Sequence, residues 1–412
     1  MNKIPNGWKE KKLKYIAEIT SSKRIYEYEY VDSGIPFYRG KEITALKNNQ
    51  KIENFIYISE KRYNELKEKY GVPSKYDILI TAVGTVGNAY TIEDDKPFYF
   101  KDGNLLWLKN IKEYPKFVEY LFECNKNVLL NNFFGSVQHA LTISRLENLT
   151  FYFPPLDEQK RIASALSKID AYLENTIKLI EEKERFKRGI AKKLLTCKEG
   201  ENIPEARFKG FEGEWEIVKL GDICLINNKS LKENTDKNYK FKYIDLTAVK
   251  KGIINFSNDY TTFENAPISA RRIINKNDII MATVRPYLLG HAFIDFEVKD
   301  YICSKGFAVL TANSNIEMKY IYQYLYSDDM AKQIKSRLVG STYPTIRLSD
   351  IKELKIKIPK SIKEQEKIGG YLSLLDKEID NLKKQKELIK EMKRGAMQKL
   401  LSGEVRLVDN YD

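Results

Sequence analysis

Histidine is almost absent from this 412-residue chain, with two copies, His139 and His291. Cysteine is nearly as scarce: Cys124, Cys197, Cys224 and Cys303 are scattered and form no Cys-x-x-Cys pair. So few ligating side chains leave no metal cluster, Ser/His/Asp set or Walker loop to assemble. The cysteine pattern excludes a disulfide framework and suits a reducing compartment. No stretch approaches the ~20 apolar residues of a membrane span, and the first residues lack an apolar signal core. These absences predict a cytoplasmic chain without a membrane partner. Gly84-Thr85-Val86-Gly87 is too short for a dinucleotide fingerprint, and no Asn/Asp-Pro-Pro-Tyr/Phe motif of an amino-methyltransferase is present. Glu158-Gln159-Lys160 fits half of a nuclease motif, but the similar stretch Glu364-Gln365-Glu366 later in the chain does not. Binding is the reading left over.

What is present supports it. Lys and Arg outnumber Asp and Glu by 70 to 57, a net charge of +13, which favours a polyanionic partner. An apolar fraction of 42% suffices for real cores, and the length calls for more than one domain.

The chain is also written twice. Pro154-Pro155-Leu156-Asp157-Glu158-Gln159 opens one long helical pattern, and Pro359-Lys360-Ser361-Ile362-Lys363-Glu364-Gln365 opens another. Each ends in the same words, Lys187-Arg188-Gly189 with Leu194-Leu195 and Lys393-Arg394-Gly395 with Leu400-Leu401. The offset is constant: 364 − 158, 394 − 188 and 400 − 194 all give 206. Upstream, Trp8, Leu13 and Ile16 are repeated by Trp215, Leu220 and Ile223, read as short helices seated on a core. Asp77-Ile78-Leu79-Ile80 echoes Asp278-Ile279-Ile280-Met281, a buried strand entered from an Asp turn. After these strands the copies diverge, into Gly84-Thr85-Val86-Gly87-Asn88 and Arg285-Pro286-Tyr287-Leu288-Leu289-Gly290. A shared framework with divergent loops is how a scaffold carries two recognition surfaces.

Other stretches give further expectations. Tyr26-Glu27-Tyr28-Glu29-Tyr30 alternates as a half-buried strand should. Gly34 to Gly40 reads as turn, extended piece and turn, with Tyr239–Ile244 as its counterpart. Phe117–Phe122 and Ile321–Tyr326 read as amphipathic helices. Gly135-Ser136 matches Gly340-Ser341. Residues 197 to 213, with Gly200, Pro204, Gly210 and Gly213, read as a linker.

Within the long helices, Asp157 is the expected cap of the first, and Ser361 with Glu364 a capping box for the second. Leu166, Ile169, Leu173, Thr176 and Ile180 form a narrow stripe at 3-4 spacing. Leu372, Leu375, Ile379, Leu382 and Ile389 form the other, interrupted by Lys386. Two such stripes predict that the helices pair, antiparallel, with the globular parts sent to opposite ends. Gly189 and Gly395 predict a close backbone approach or a local break.

Taken together, these residues resemble the specificity subunit of type I restriction-modification systems. The resemblance rests on the Pro-Pro-Leu-x-Glu-Gln helix start and its twin, the Lys-Arg-Gly…Leu-Leu ends, the Asp-Ile-Leu-Ile…Gly-Thr-Val-Gly strand and turn, and the Gly-Ser…Ile-Ser…Leu segment. Copy two departs from it with Pro-Lys-Ser-Ile for Pro-Pro-Leu. The resemblance implies an α+β fold: two similar mixed α/β target recognition domains separated by two long helices in an antiparallel coiled coil, with a pseudo-twofold internal repeat. The domains are placed at 1–154 and 201–359, the helices at 155–200 and 360–412. Each domain would read half of a bipartite duplex DNA target. The helices would fix the spacer and dock two methyltransferase subunits, and restriction subunits would join. S-adenosylmethionine, ATP and Mg would belong to those partners, and this chain would hold no cofactor, metal or catalytic residue.

Candidate DNA contacts are polar or basic residues on turns beside the shared strands: Lys23, Arg24, Arg39, Lys41, Thr85, Asn88 and Gln138 in copy one, and Lys229, Lys242, Arg285, Tyr287, Ser341, Tyr343 and Arg347 in copy two. Pro286 is expected to hold Arg285 extended. His139 reads as a packed turn residue. The alternative to a DNA reader is a non-catalytic protein–protein adaptor built on the coiled coil.

Overall fold

The computed structural model describes residues 5–131, 140–313 and 315–408. The chain divides into two compact units. The first joins Met1–Lys178 to Lys384–Asp412, and the second is Leu179–Lys383. Each unit therefore holds one globular part, the start of its own long helix and the end of the other. Among the described residues, no helix is long and apolar enough to cross a membrane.

The framework of the first unit is a four-stranded antiparallel sheet in the order Glu18–Thr20, Leu105–Lys109, Ile78–Thr81, Ala89–Thr91. The second unit repeats it with Cys224–Ile226, Phe307–Ala312, Ile279–Ala282 and His291–Phe293. Register is repeated too: Ile78 lies opposite Leu108, and Ile279 opposite Leu310. All four residues of Ile78–Thr81 and of Ile279–Ala282 are buried, which explains the three consecutive apolar residues that open each strand. The Asp before each strand closes the preceding turn. Asp77 accepts from Ser74 N and Trp107 Nε1 at 2.9 Å each, and Asp278 accepts from Asn275 N at 2.7 Å and Thr311 Oγ1 at 2.7 Å.

A second four-stranded sheet lies in each unit. In the first it runs Tyr30–Val31, Ile56–Ile58, Ile35–Tyr38, Tyr99–Phe100. In the second it runs Thr261–Thr262, Lys240–Ile244, Tyr301–Ser304, Ala270–Ile273. The expected counterparts Ile35–Tyr38 and Lys240–Ile244 each have one parallel neighbour, Tyr99–Phe100 and Tyr301–Ser304. The Tyr26–Tyr30 strand does not form as read. Glu27–Glu29 is a 3-10 turn, closed by Tyr26 N donating to Glu29 Oε2 at 2.8 Å, and only Tyr30–Val31 is strand. The alternating tyrosines serve a surface stack instead: the rings of Tyr26 and Tyr28 lie 5.4 Å apart and nearly parallel. The short helices Leu13–Ile16 and Leu220–Ile223 seat Trp8 and Trp215 in their cores, and Pro115–Cys124 and Met318–Tyr324 are helices as expected. Gly135 and Ser136 lie outside the described residues.

The long helices span Leu156–Leu195 and Ile362–Leu401, 40 residues each, or about 60 Å of unbroken helix. In the first unit, Glu158 meets Arg406, Asp170 meets Lys393, and Tyr172 meets Gln385. In the second, Lys183 meets Glu378 and Lys187 meets Asp376. Numbers rise on one helix as they fall on the other, so the segments run antiparallel within each unit. Leu166, Ile180, Leu372, Leu375, Ile379 and Ile389 are buried, and Leu173 and Leu382 half-buried. Thr176 is buried with them, its hydroxyl returned to Tyr172 O at 2.9 Å. Leu166 and Ile169 pack with Ile162, Met397 and Leu400 into the first core, and Leu372 and Leu375 with Leu194 and Leu195 into the second. Each globular part is thus completed by the far end of the other copy's helix.

Three local expectations fail here. Asp157 lies inside the first turn, where Gln159 N already donates to Pro155 O, so Asp157 favours the helix by its charge at the N-terminus. Glu364 is turned away from Ser361 toward Arg207 and Trp215, so the capping box does not close. Gly189 and Gly395 meet no close neighbour, and both helices run through them without a break. The close approach occurs at Gly369, where a Cβ would sit 2.6 Å from the backbone nitrogen of Tyr320.

Candidate nucleic-acid interface

Both units anchor the start of their long helix through the same Glu-Gln pair. Glu158 is 3% exposed and takes a bidentate guanidinium from Arg406, at 2.7 and 2.8 Å. Glu364 is 1% exposed and takes Arg207 the same way, at 2.8 Å twice. Gln159 donates to Pro154 O and accepts from Tyr114 N; Gln365 donates to Pro359 O and accepts from Glu317 N. These bonds explain why Pro, Glu and Gln recur at fixed spacing. The 197–213 segment is therefore more than a linker: Arg207 anchors it to the second unit, and Ala206 and Phe208 pack on its core. Sequence reading missed Arg207 and Arg406. The available signal was Glu205-Ala206-Arg207 after one helix and Glu404-Val405-Arg406 after the other.

A reciprocal ion pair sits further along. Lys187 pairs with Asp376 in the second unit, and Lys393 pairs with Asp170 at 2.8 Å in the first. Lys393 also meets Glu123 at 2.6 Å. Burial disfavours charge on both Glu123 and Lys393. Lys47 and Lys393 outweigh it and hold the Glu123 carboxyl below its ordinary range; Glu123 and Asp170 hold the Lys393 amine above its own.

On the first unit, four sequence candidates come together where the Gly40–Lys47 helix meets the Ile78–Thr91 hairpin. Arg39 grips buried Glu42 through Nε and Nη2, at 3.2 and 2.7 Å, and Lys41 Nζ lies 3.6 Å from the same carboxylate. Thr85 Oγ1 is 3.4 Å from Thr44 Oγ1. Asn88 is buried and its amide is engaged at both ends, donating to Thr44 Oγ1 at 3.1 Å and accepting from Lys126 Nζ at 2.6 Å. The Asn88 amide is thereby tied into the framework between the helix and Lys126. Lys126, not singled out by sequence, sits where burial and neighbouring Lys47 lower its amine pKa. Lys23 and Arg24 are exposed elsewhere, Lys23 over the Tyr70 ring and Arg24 on Asp102 at 3.1 Å. Gln138 and His139 lie outside the described residues.

On the second unit, Arg285, Tyr287, Ser341 and Tyr343 share one surface, because the 285–289 turn and the 339–345 loop are knitted together. Arg285 N donates to Pro344 O at 2.7 Å, Ile346 N to Thr283 O at 2.9 Å, and Val339 and Thr345 exchange two bonds of 2.9 Å. Arg285 is not extended. Its φ of 47° and ψ of 50° are left-handed, against the steric preference set by Pro286. Arg347 is exposed just before the Leu348–Lys352 helix. Lys229 is exposed, and Lys242 lies between the rings of Tyr260 and Tyr301, at 5.1 and 5.7 Å; no bond among the described residues joins either to the Arg285 surface.

The profile of the family described as type I restriction modification DNA specificity domain matches residues 5–182 and again 212–391. The chain belongs to this family. Both matched stretches contain one sheet framework and most of a long helix, so the family's unit is the repeat seen here. Among curated relatives, the type I restriction enzyme MjaIX specificity subunit of Methanocaldococcus jannaschii is 26% identical, over 99% of this chain and 95% of its own. The MjaVIII specificity subunit of the same organism is 27% identical over 63% of each chain. The crystal structure of a type I restriction-modification S subunit from M. genitalium shares the fold, with a TM-score of 0.61 over 97% of both chains at 21% identity. As a family member, the chain carries two target recognition domains in tandem.

Proposed function

We propose that this chain selects the DNA sequence on which a type I restriction-modification complex acts, each unit reading one half of a bipartite duplex. The observation that carries this is the duplicated sheet framework whose equivalent turns, Gly84–Asn88 and Arg285–Gly290, bear unrelated side chains. Identical scaffolds with unlike tips suit two unlike half-sites. The long helices set the spacer and dock two methyltransferase subunits. In support, they expose apolar residues that neither core uses: Tyr172, Ile177, Leu388 and Met392 in the first unit, and Leu179, Phe186 and Leu374 in the second. Restriction subunits join that assembly. S-adenosylmethionine, ATP and Mg serve the partners, and the chain directs their chemistry in the cytoplasm without performing it.

The test is selection from random duplex DNA by the chain with its methyltransferase subunits. A split motif is expected, with binding that weakens steeply with salt, as ~6–10 phosphate contacts require. Lengthening the first helix by one turn near Glu181, about 5.4 Å, is expected to change the spacer and keep both half-sequences. Absence of enrichment returns the adaptor reading.

A further inference from the structure

The turn after the central strand of each framework sheet holds a left-handed residue at the same place. In the first unit it is Gly84, with φ +77°. Applying the offset between Asp77 and Asp278, 278 − 77 = 201, the equivalent residue in the second unit is 84 + 201 = 285, which is Arg285, with φ +47°. Glycine adopts this conformation freely; an arginine before proline resists it. Four residues on, Leu289 is left-handed as well, at φ 57°. The second unit therefore places bulky side chains where the first shows that glycine serves. Backbone strain of this kind persists where surrounding structure imposes it, and it gathers at binding sites.

What the strain achieves is orientation. The guanidinium carbon of Arg285 lies 4.4 Å from the ring centroid of Tyr343, and Nη2 donates to Thr342 O at 3.1 Å. The ring contact and the bond to the carbonyl together restrict where the guanidinium can lie. The two Nη1 hydrogens and the second on Nη2 have no partner among the described residues. Tyr287, Leu288 and Tyr343 around it are 52%, 58% and 64% exposed. A phosphate accepts a lysine as readily as a fork, whereas the paired acceptors of a guanine edge match the fork.

We infer that Arg285, held over the ring of Tyr343, is the specificity-determining residue for one guanine in the half-site read by the second unit. This rests on the DNA-reading function proposed above. Arginine matches the O6 and N7 acceptors of guanine in the major groove, and Tyr343 is its positioning residue.

The test is sequence selection with the full chain and its methyltransferase subunits. The wild type is expected to require a G·C pair at one position of one half-site. Arg285→Gly removes the fork and relieves the left-handed strain, so a misfolded chain is not the expected confounder. It is expected to lose about tenfold or more of the preference at that single position, with every other position maintained and the thermal midpoint no lower than the wild type's. Arg285→Lys is expected to lose it as well, Tyr343→Phe to keep it, and Tyr343→Ala to weaken it. Uniform weakening across all sequences in Arg285→Gly, an unaltered motif, or a guanine preference retained by Arg285→Lys would overturn the assignment. A wild type without any split motif would overturn the DNA-reading function itself, and the assignment with it.

Discussion

Arg406→Ala is expected to loosen the first unit far along the sequence from the substitution. Arg406 is the bidentate partner of Glu158, whose carboxylate is 3% exposed at the start of the first long helix. Removing the guanidinium leaves a buried carboxylate whose other prospects are poor. Breaking a fully buried pair costs about 3–5 kcal/mol, because the remaining charge is stranded. The Arg406 side chain is 27% exposed, so water reaches the site and the cost falls to roughly 2–3 kcal/mol. A further loss comes from Arg406 Nη1, which donates to Asn6 O at 2.7 Å. Hydrogen exchange by mass spectrometry reads this segment by segment. The opening equilibrium around Leu156–Leu166 should rise roughly 30- to 150-fold, by the conversion of 1.4 kcal/mol per decade. The second unit supplies the control, since its Glu364 keeps Arg207. Arg207→Ala should produce the mirror result, and Glu158→Gln combined with Arg406→Ala should recover part of the loss. Unchanged exchange at Leu156–Leu166, or equal acceleration in both units, would refute the reasoning.

Two other expectations follow from burial. His291 is fully buried, Ala282 N donates to its Nδ1 at 3.2 Å, and burial pulls its pKa from 6.5 to about 4. The unfolded chain binds the proton more readily, so the second unit keeps full stability above about pH 6.5 and loses up to roughly 3 kcal/mol as pH falls to about 4. Urea denaturation across that window should show the slope in the wild type and a flatter one in His291→Asn. Gly189→Ala and Gly395→Ala should each raise stability by about 1 kcal/mol, since both are helical and meet nothing within 4 Å, whereas Gly369→Ala should lower the thermal midpoint by pressing on Tyr320.

Much of the fold was legible because the repeat constrains it locally. The Asp77 and Asp278 strands, the Trp8 and Trp215 cores and the two helical stripes each follow from spacing over a few residues. What the sequence hid was carried by long separations or by competition among neighbours. Arg207 and Arg406 find their carboxylates 157 and 248 residues away, and no local period points there. Tyr26–Tyr30 alternates like a strand, yet Glu29 captures the backbone of Tyr26 and turns it. The knitting of the 285–289 turn to the 339–345 loop is invisible in the sequence, because it runs through backbone bonds of Thr283, Pro344 and Ile346. The bonds of Asn88 to Thr44 and Lys126 were equally hidden, because an amide suits such partners as well as it suits a base.

The last turns of the second helix, through Met397, Leu400 and Leu401, lie within the core of the first unit. During synthesis the ribosome releases residues 1–178 long before those side chains exist. The second unit, contiguous from Leu179 to Lys383, has all its parts first. The core of the amino-terminal unit is therefore complete only when the carboxyl-terminal end arrives. Birth order and order of completion run in opposite senses: every residue of the second unit is made before the last residues of the first.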